Sequence, residues 1–167
     1  MKKILVLGSG GAGKSTFSRR LGKVLDIEVI HLDRLYWRPN WEKTPKDEWA
    51  EKVGHAISGD EWIIDGNFGG TRRMRIEASD TLIILDVPRL KCLYRVVKRA
   101  IRYRGTSRPD MAEGCNEKID LEFIMWVWNY PSRSRKVMLT QLDEFSGKKI
   151  IFLRSDREME TFLNSLQ

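Results

Sequence analysis

Apolar residues gather into five short blocks along the chain. Residues 4–7 form an unbroken apolar run closed by Gly8, the pattern of a strand covered on both faces, and 29–32, 62–64, 81–87 and 149–153 predict four further strands. Between the blocks the spacing turns helical. Leu21, Val24 and Leu25 recur after Phe17, and helical patterns cover about 45–58, 71–78, 89–103, 117–144 with an interruption at Pro131, and 157–166. Strands alternating with helices predict an α/β fold: a parallel sheet with helices on both faces. Two stretches depart from this alternation. Residues 33–60 carry Tyr36, Trp37, Trp41 and Trp49, too many large aromatics for a plain crossover, and 104–116 are polar and rich in Gly and Arg. Each reads as an insertion at the C-terminal edge of the sheet, where open α/β sheets bind ligands.

The first strand runs into Gly8-Ser9-Gly10-Gly11-Ala12-Gly13-Lys14-Ser15, which satisfies G-x-x-x-x-G-K-[ST] with a strand before it and a helix after it. Small residues let the backbone curl so that successive N–H groups face a phosphate chain, and the helix N-terminus adds its positive dipole end. In this pattern Lys14 reaches the β- and γ-phosphates of ATP, Ser15 ligates Mg²⁺ and Thr16 stands by the α-phosphate. A turn that merely reverses the chain would need neither the Lys nor the Ser. The GTPase motifs N/T-K-x-D and D-x-x-G are absent, and oligomeric motor ATPases need a longer chain, so a small ATP-dependent kinase remains.

The 167 residues are one domain's worth, and 41% hydrophobic content is enough for a packed core. Charge refines the picture. The net +7 is concentrated: from Arg89 to Pro109 there are eight basic residues and no acidic one, which leaves 22 basic against 23 acidic residues elsewhere. Such a segment points to an anionic partner. Cys92 and Cys115 lie outside any metal or redox spacing, so free thiols are expected. The apolar run after Met1-Lys2-Lys3 is four residues, short of the ~7–15 of a signal peptide, and no run approaches the ~18 of a membrane span. The expectation is a soluble, cytoplasmic protein without membrane contact.

Taken together, the glycine loop, Asp33 after the second strand, Asp65-Gly66-Asn67 ending the third, the Arg-rich helix and the long helix after it resemble the nucleoside monophosphate kinase and shikimate kinase group. More narrowly, His31-Leu32-Asp33-Arg34-Leu35-Tyr36-Trp37, Trp62-Ile63-Ile64-Asp65-Gly66-Asn67 and Arg108-Pro109-Asp110-Met111 with Gly114-Cys115 resemble the DNA topology modulation proteins of the FlaR type. The resemblance implies a single P-loop kinase-like domain over 1–167, with strand order 2-3-1-4-5. It also implies an acceptor-binding insert at about 33–60 and a lid at about 104–116. ATP and Mg²⁺ follow as cofactors, bound by Gly8, Ser9, Gly10, Gly11, Ala12, Gly13, Lys14, Ser15 and Thr16. The implied partners are a nucleoside triphosphate and a small-molecule, nucleoside or nucleotide acceptor.

Asp65 ends an apolar strand beside the loop, where a carboxylate can orient water on Mg²⁺ beside Ser15; a turn-forming Asp-Gly is the other reading. By resemblance it matches the aspartate of the D-G-F-P-R stretch of adenylate kinases, but Asn67 and Phe68 replace Phe-Pro and the arginine arrives later, at Arg72 or Arg73. Asp33 stands where shikimate-type kinases keep an acceptor-orienting carboxylate, although Asp is also a preferred helix N-cap. Acceptor contacts therefore fall to Asp33, Asp65, Asn67 and Arg72. His31 and His55 read as structural.

Lys91, Arg95, Lys98 and Arg102 line one face of the helix 89–103. Arginines that close over a moving phosphoryl group stabilise its transition state. Arg99 is the first candidate and Arg95 the second, with Arg104 and Arg108 closing from the lid and Arg133 or Arg135 returning from the far side; a solvated basic face is the plainer reading. Of the aromatics in the insert, two are expected in a small core and one or two stacked on a planar acceptor. The other functional class is an ATP-binding, nucleic-acid-associated regulator of DNA topology. The basic helix gives weak, non-specific nucleic-acid binding in either case. The chain is expected to be a monomer, or a homodimer through exposed Trp.

Overall fold

The computed structural model describes residues 1–106, 111–116, 119–145 and 147–167. In chain order the elements are β1 (Lys3–Gly8), α1 (Lys14–Leu25), β2 (Val29–His31), α2 (Leu32–Tyr36), β3 (Trp37–Arg38), β4 (Glu42–Lys43), α3 (Lys46–Ala56), β5 (Trp62–Asp65), α4 (Gly69–Ala78), β6 (Thr81–Leu85), α5 (Arg89–Arg102), α6 (Leu121–Asn129), α7 (Ser134–Asp143), β7 (Lys149–Leu153) and α8 (Asp156–Asn164). Five strands form one parallel sheet in the order β2-β5-β1-β6-β7. Set apart from the β3–β4 hairpin, this is the expected 2-3-1-4-5.

Alternation along each strand sends side chains to two separate cores. Ile4, Val6, Ile63 and Ile83 pack on one face with Phe17, Leu21, Cys92, Val96, Val127 and Met159. Leu5, Leu7, Ile64, Leu82 and Ile84 pack on the other with Trp49, Val53, Ile76, Met138 and Leu142. Because both faces are covered, the strands read as continuous apolar runs. Each fully buried aliphatic side chain contributes about 1.5–3 kcal/mol to that packing.

Boundaries moved where backbone geometry overrides pattern. The second strand stops at His31, one residue early, because Leu32 already opens the short α2. The strand expected over 81–87 ends at Leu85, and Pro88 then caps α5. The helix expected over 117–144 is two helices that break at 130–133, around Pro131 as anticipated. Asp120 caps α6 by accepting from the Phe123 N–H at 3.1 Å.

The two irregular stretches meet each other. The hairpin over 37–43 receives segment 111–116: the Asn40 N–H donates to the Gly114 carbonyl (3.1 Å), the Cys115 thiol to the Arg38 carbonyl (3.1 Å) and the Trp41 indole N–H to the Asn116 carbonyl (3.0 Å). The hairpin and segment 111–116 are thus hydrogen-bonded to each other. Both cysteines are free and buried. No helix among the described residues is long and apolar enough to cross a membrane.

Candidate phosphate-binding cleft

Gly10 to Thr16 open onto a cleft of about 1300 Å³ whose walls include Asp33, Tyr36, Trp37, Trp41, Asn67, Phe68, Arg72, Arg99, Met111 and Phe123. Gly8 and Ser9 lie behind that wall. α1 is preceded by Gly13 as its N-cap, with no side-chain cap and no acid in its first turn, so its leading N–H groups are left for a ligand. The loop is squeezed from beneath and above. A Cβ on Gly11, whose φ is +77°, would stand 2.3 Å from the Cys92 carbonyl oxygen, and one on Gly10 would stand 2.6 Å from the Phe123 ring. Only glycine lets α5 and α6 approach the loop this closely.

Lys14 Nζ donates to the Gly8 and Ser9 carbonyls at 3.0 and 2.9 Å. Loss of hydration lowers its pKa, Asp33 and Asp65 pull it back up, and Arg99 pushes it further down. Lys14, Asp33, Asp65 and Arg99 therefore share one electrostatic neighbourhood although 85 residues separate the ends of that set in sequence. Arg99 also places its guanidinium 5.9 Å over the Phe123 ring. Cys92, beneath the loop, donates to the Val87 carbonyl at 3.6 Å, and burial pushes its thiol pKa up, which makes it an unreactive packing residue.

Asp65 is buried and does not line the cleft. It sits opposite His31 in the β2–β5 register, and His31 Nδ1 lies 2.9 Å from its carboxylate. The sequence, which showed His31 without a partner at metal spacing, gave no signal for this pair, because the two residues meet only through strand pairing. Asn67 lines the cleft but is also structural: its amide donates to the Gly8 carbonyl at 2.7 Å and its oxygen accepts from the Gly8 N–H at 3.4 Å, tying β5 to the glycine loop.

The arginines separate sharply. Arg72 is buried and lines the cleft, while Arg73 points outward to Glu77 and Glu144. Arg75, which sequence reasoning missed, is wholly buried and donates to four carbonyls: Thr71 (3.2 Å), Gly66 (3.0 Å), Asn67 (2.8 Å) and Phe68 (2.7 Å). It shapes the turn after β5. Arg95 lines the cleft with its guanidinium on Asp156 of α8, which also receives Lys91, so one carboxylate from another helix pairs with two of the four cations of the basic face. Arg135 forks onto Asp86 through two 2.8 Å bonds. Arg133 is exposed beside Glu122, Met125 and Asn129 in a separate hollow, and Arg104 is exposed; neither lines the cleft. Arg108 lies outside the described residues.

The aromatics form one contact chain. Tyr36 meets Trp37, Trp49 and Phe68 at centroid distances of 4.9, 5.0 and 4.6 Å, and Trp37 meets Trp41 at 5.4 Å. Trp49 is core, whereas Tyr36, Trp37, Trp41 and Phe68 face the cleft.

No family model and no curated protein match the chain. Among solved structures, shikimate kinase from Bacteroides thetaiotaomicron superposes with a TM-score of 0.60 at 18% identity, over 98% of this chain and 95% of that one. This is the fold of P-loop kinases. Deoxyadenosine kinase from M. mycoides superposes with a TM-score of 0.53 and 15% identity in its complex with dCMP and dCDP, covering 98% of this chain and 97% of that one. With dATP bound the values are 0.54 and 16%, with 98% of each chain covered. The similarity to topology modulation proteins has no counterpart among these matches.

Proposed function

We propose that the protein is an ATP- and Mg²⁺-dependent phosphotransferase acting on a small molecule. The observation that carries this reading is the convergence of Lys14, Asp33 and Arg99 on one cleft, between the glycine loop and the aromatic wall. The residues fit a triphosphate. The loop offers uncapped N–H groups, a tight glycine backbone that α5 braces from beneath, and a desolvated ammonium on Lys14 resting on carbonyls. Ser15, on the cleft wall, would hold Mg²⁺, with Asp65 contributing negative charge from behind. No cluster of three or more His, Cys, Asp or Glu suited to a metal occurs among the described residues, so the triphosphate itself would complete the coordination. Bound Mg²⁺–ATP supplies the γ-phosphoryl group and neutralises part of its charge.

Asp33 lies on the cleft wall after β2 and would take the proton of an attacking hydroxyl. Arg99 supplies positive charge where it develops on the transferring oxygens. The docked insert and segment 111–116 would help to shield the reacting group from water, which would otherwise compete as acceptor. Melting curves with Mg²⁺–ATP test the binding: at ~100-fold above the dissociation constant the ligand adds about 2.7 kcal/mol, and Lys14→Ala is expected to abolish the shift. Phosphoryl transfer from labelled ATP to panels of nucleosides, nucleotides and sugars then tests the reaction.

A nucleic-acid-associated role, the second reading, draws on exposed cations seated on exposed aromatics. Arg89 lies 4.1 Å over Trp128 and Lys98 5.7 Å from the Tyr94 centroid. Binding through them would be weak and steeply salt-dependent; tight, salt-resistant, sequence-selective binding to DNA would favour this reading.

A further inference from the structure

Six of the ten large apolar side chains exposed among the described residues lie on two neighbouring helices: Leu90, Tyr94 and Ile101 of α5, and Leu121, Met125 and Trp128 of α6. These helices pack side by side and run antiparallel, since Arg89 stands 4.1 Å over Trp128 at one end and Arg99 stands 5.9 Å over Phe123 towards the other. At about 100° of turn per residue, each trio falls on one stripe of its helix. Both stripes turn away from the buried Cys92, Val96 and Ala100 of α5 and Val127 of α6, so they meet in one solvent-facing patch. At 40–72% exposure the six residues leave on the order of 700 Å² of mainly apolar surface open; the largest patch on a typical monomer is about 300–600 Å², and a standard interface takes about 800 Å² from each partner. Charge borders the patch unevenly. α5 carries no acid, and its exposed Lys98 and Arg102 fall along the edge remote from α6. α6 carries no cation, and its exposed Glu122 falls along the edge remote from α5, in the hollow that it shares with Asn129 and Arg133.

We infer that this patch seats a second copy of the chain, and that the protein is a homodimer whose interface is a bundle of four helices, α5 and α6 from each copy. An apolar centre flanked by charged edges is the anatomy of such an interface. The edges fix how the copies meet. A twofold axis across the helices would lay α5 on α5 and set one row of cations against another. An axis along the helices lays each α5 antiparallel on the other copy's α6 and brings Lys98 and Arg102 level with Glu122. Other occupants fit the face less well. Leu90, Ile101, Leu121 and Met125 offer a polynucleotide neither hydrogen bonds nor stacking, and Glu122 repels anionic headgroups. The inference is independent of the phosphotransferase reading, because it uses the outer side of helices whose inner side presses on the glycine loop.

Sedimentation velocity of the intact chain, from about 1 to about 200 µM, tests the inference. The parent, 19.5 kDa per chain, is expected to sediment as a dimer above about 10 µM. Leu90→Glu combined with Ile101→Glu places charge in the centre of the interface and is expected to weaken association at least about 100-fold. Both side chains are exposed, so the fold is retained, which circular dichroism checks. Val137→Glu, at an exposed apolar residue of α7, is the control and keeps the dimer. For the seating of α5 on α6, Arg102→Glu and Glu122→Arg are each expected to loosen the dimer about 10-fold, and the two together to restore it to within about threefold. A parent that is monomeric at the highest concentration, a dimer that survives the paired glutamates, or one that Val137→Glu dissociates would each overturn the inference. Charge variants that add instead of compensating would overturn the seating. A monomeric parent that sediments with anionic phospholipid vesicles or with a DNA duplex would give the face to that partner instead. Dilution of the parent needs no variant, so the test stands even where a substituted chain fails to fold. A dimer that transfers no phosphoryl group refutes the phosphotransferase reading alone.

Discussion

Replacing Gly11 by Ala, with Gly10→Ala as its partner, measures how tightly the glycine loop is clamped. At Gly11 the new Cβ would lie 2.3 Å from the Cys92 oxygen and 3.0 and 3.1 Å from its carbon and Cα, about 1.1 Å short of the 3.4 Å at which ordinary contact begins. All three atoms are backbone of α5, so no side-chain rotation relieves the overlap. The left-handed φ adds about 1–2 kcal/mol and overpacking about 1–3, for a total of about 2–5 kcal/mol. For a chain of this length that lowers the melting temperature by about 4–20 °C. At Gly10 the nearest atom is the far end of the Phe123 ring and φ is not left-handed, so the ring can swing and the loss is expected to be about 1 kcal/mol. Scanning calorimetry with and without Mg²⁺–ATP reads both effects. Gly11→Ala should lose stability and the nucleotide-induced shift together, while Gly10→Ala should retain most of both. Equal behaviour of the two variants, or a Gly11→Ala protein as stable as the parent, would refute the account of α5 bracing the loop.

Arg99→Ala is expected to lower kcat about 10²–10³-fold while ATP affinity, measured by calorimetry, changes much less, because its contact strengthens in the transition state. For a hydroxyl acceptor, Asp33→Asn should slow the chemical step by about 10²–10⁴-fold in single-turnover measurements with ATP binding intact; an unchanged step would exclude Asp33 as the base. Arg95 first and Lys91 second hold Asp156 below the usual carboxylate range, so their contribution is complete above the unfolded value of about 3.9 and is lost as pH falls through the lower folded value. Asp156→Asn should therefore melt below the parent at pH 7, with the gap closing in acid.

The expected insert and lid show why position along a chain is more legible than contact. Both stretches stood out because their composition broke the alternation, and Trp37, Trp41 and Met111 line the same cleft as the glycine loop. Their docking on each other through Arg38, Asn40, Trp41, Gly114, Cys115 and Asn116 had no local sign, since a backbone carbonyl that accepts a bond looks the same in every sequence. The basic helix taught the converse: no acid is interspersed within it, yet Asp156 reaches it from α8.

The sequence by itself determined the sheet, its strand order through the kinase resemblance, and the glycine loop. Periodicity, caps and the loop motif act over a few residues, and strands buried on both faces leave continuous apolar runs. Tertiary structure alone decided which polar side chains meet: His31 with Asp65 across 34 positions, Arg95 with Asp156 across 61 and Arg72 with Gln141 across 69. It also turned Arg72, Arg73 and Arg75, three arginines within four residues, into a cleft cation, a surface ion pair and a buried brace. Helical rotation aims each of them in a different direction, and what stands there is set by the topology of the whole chain.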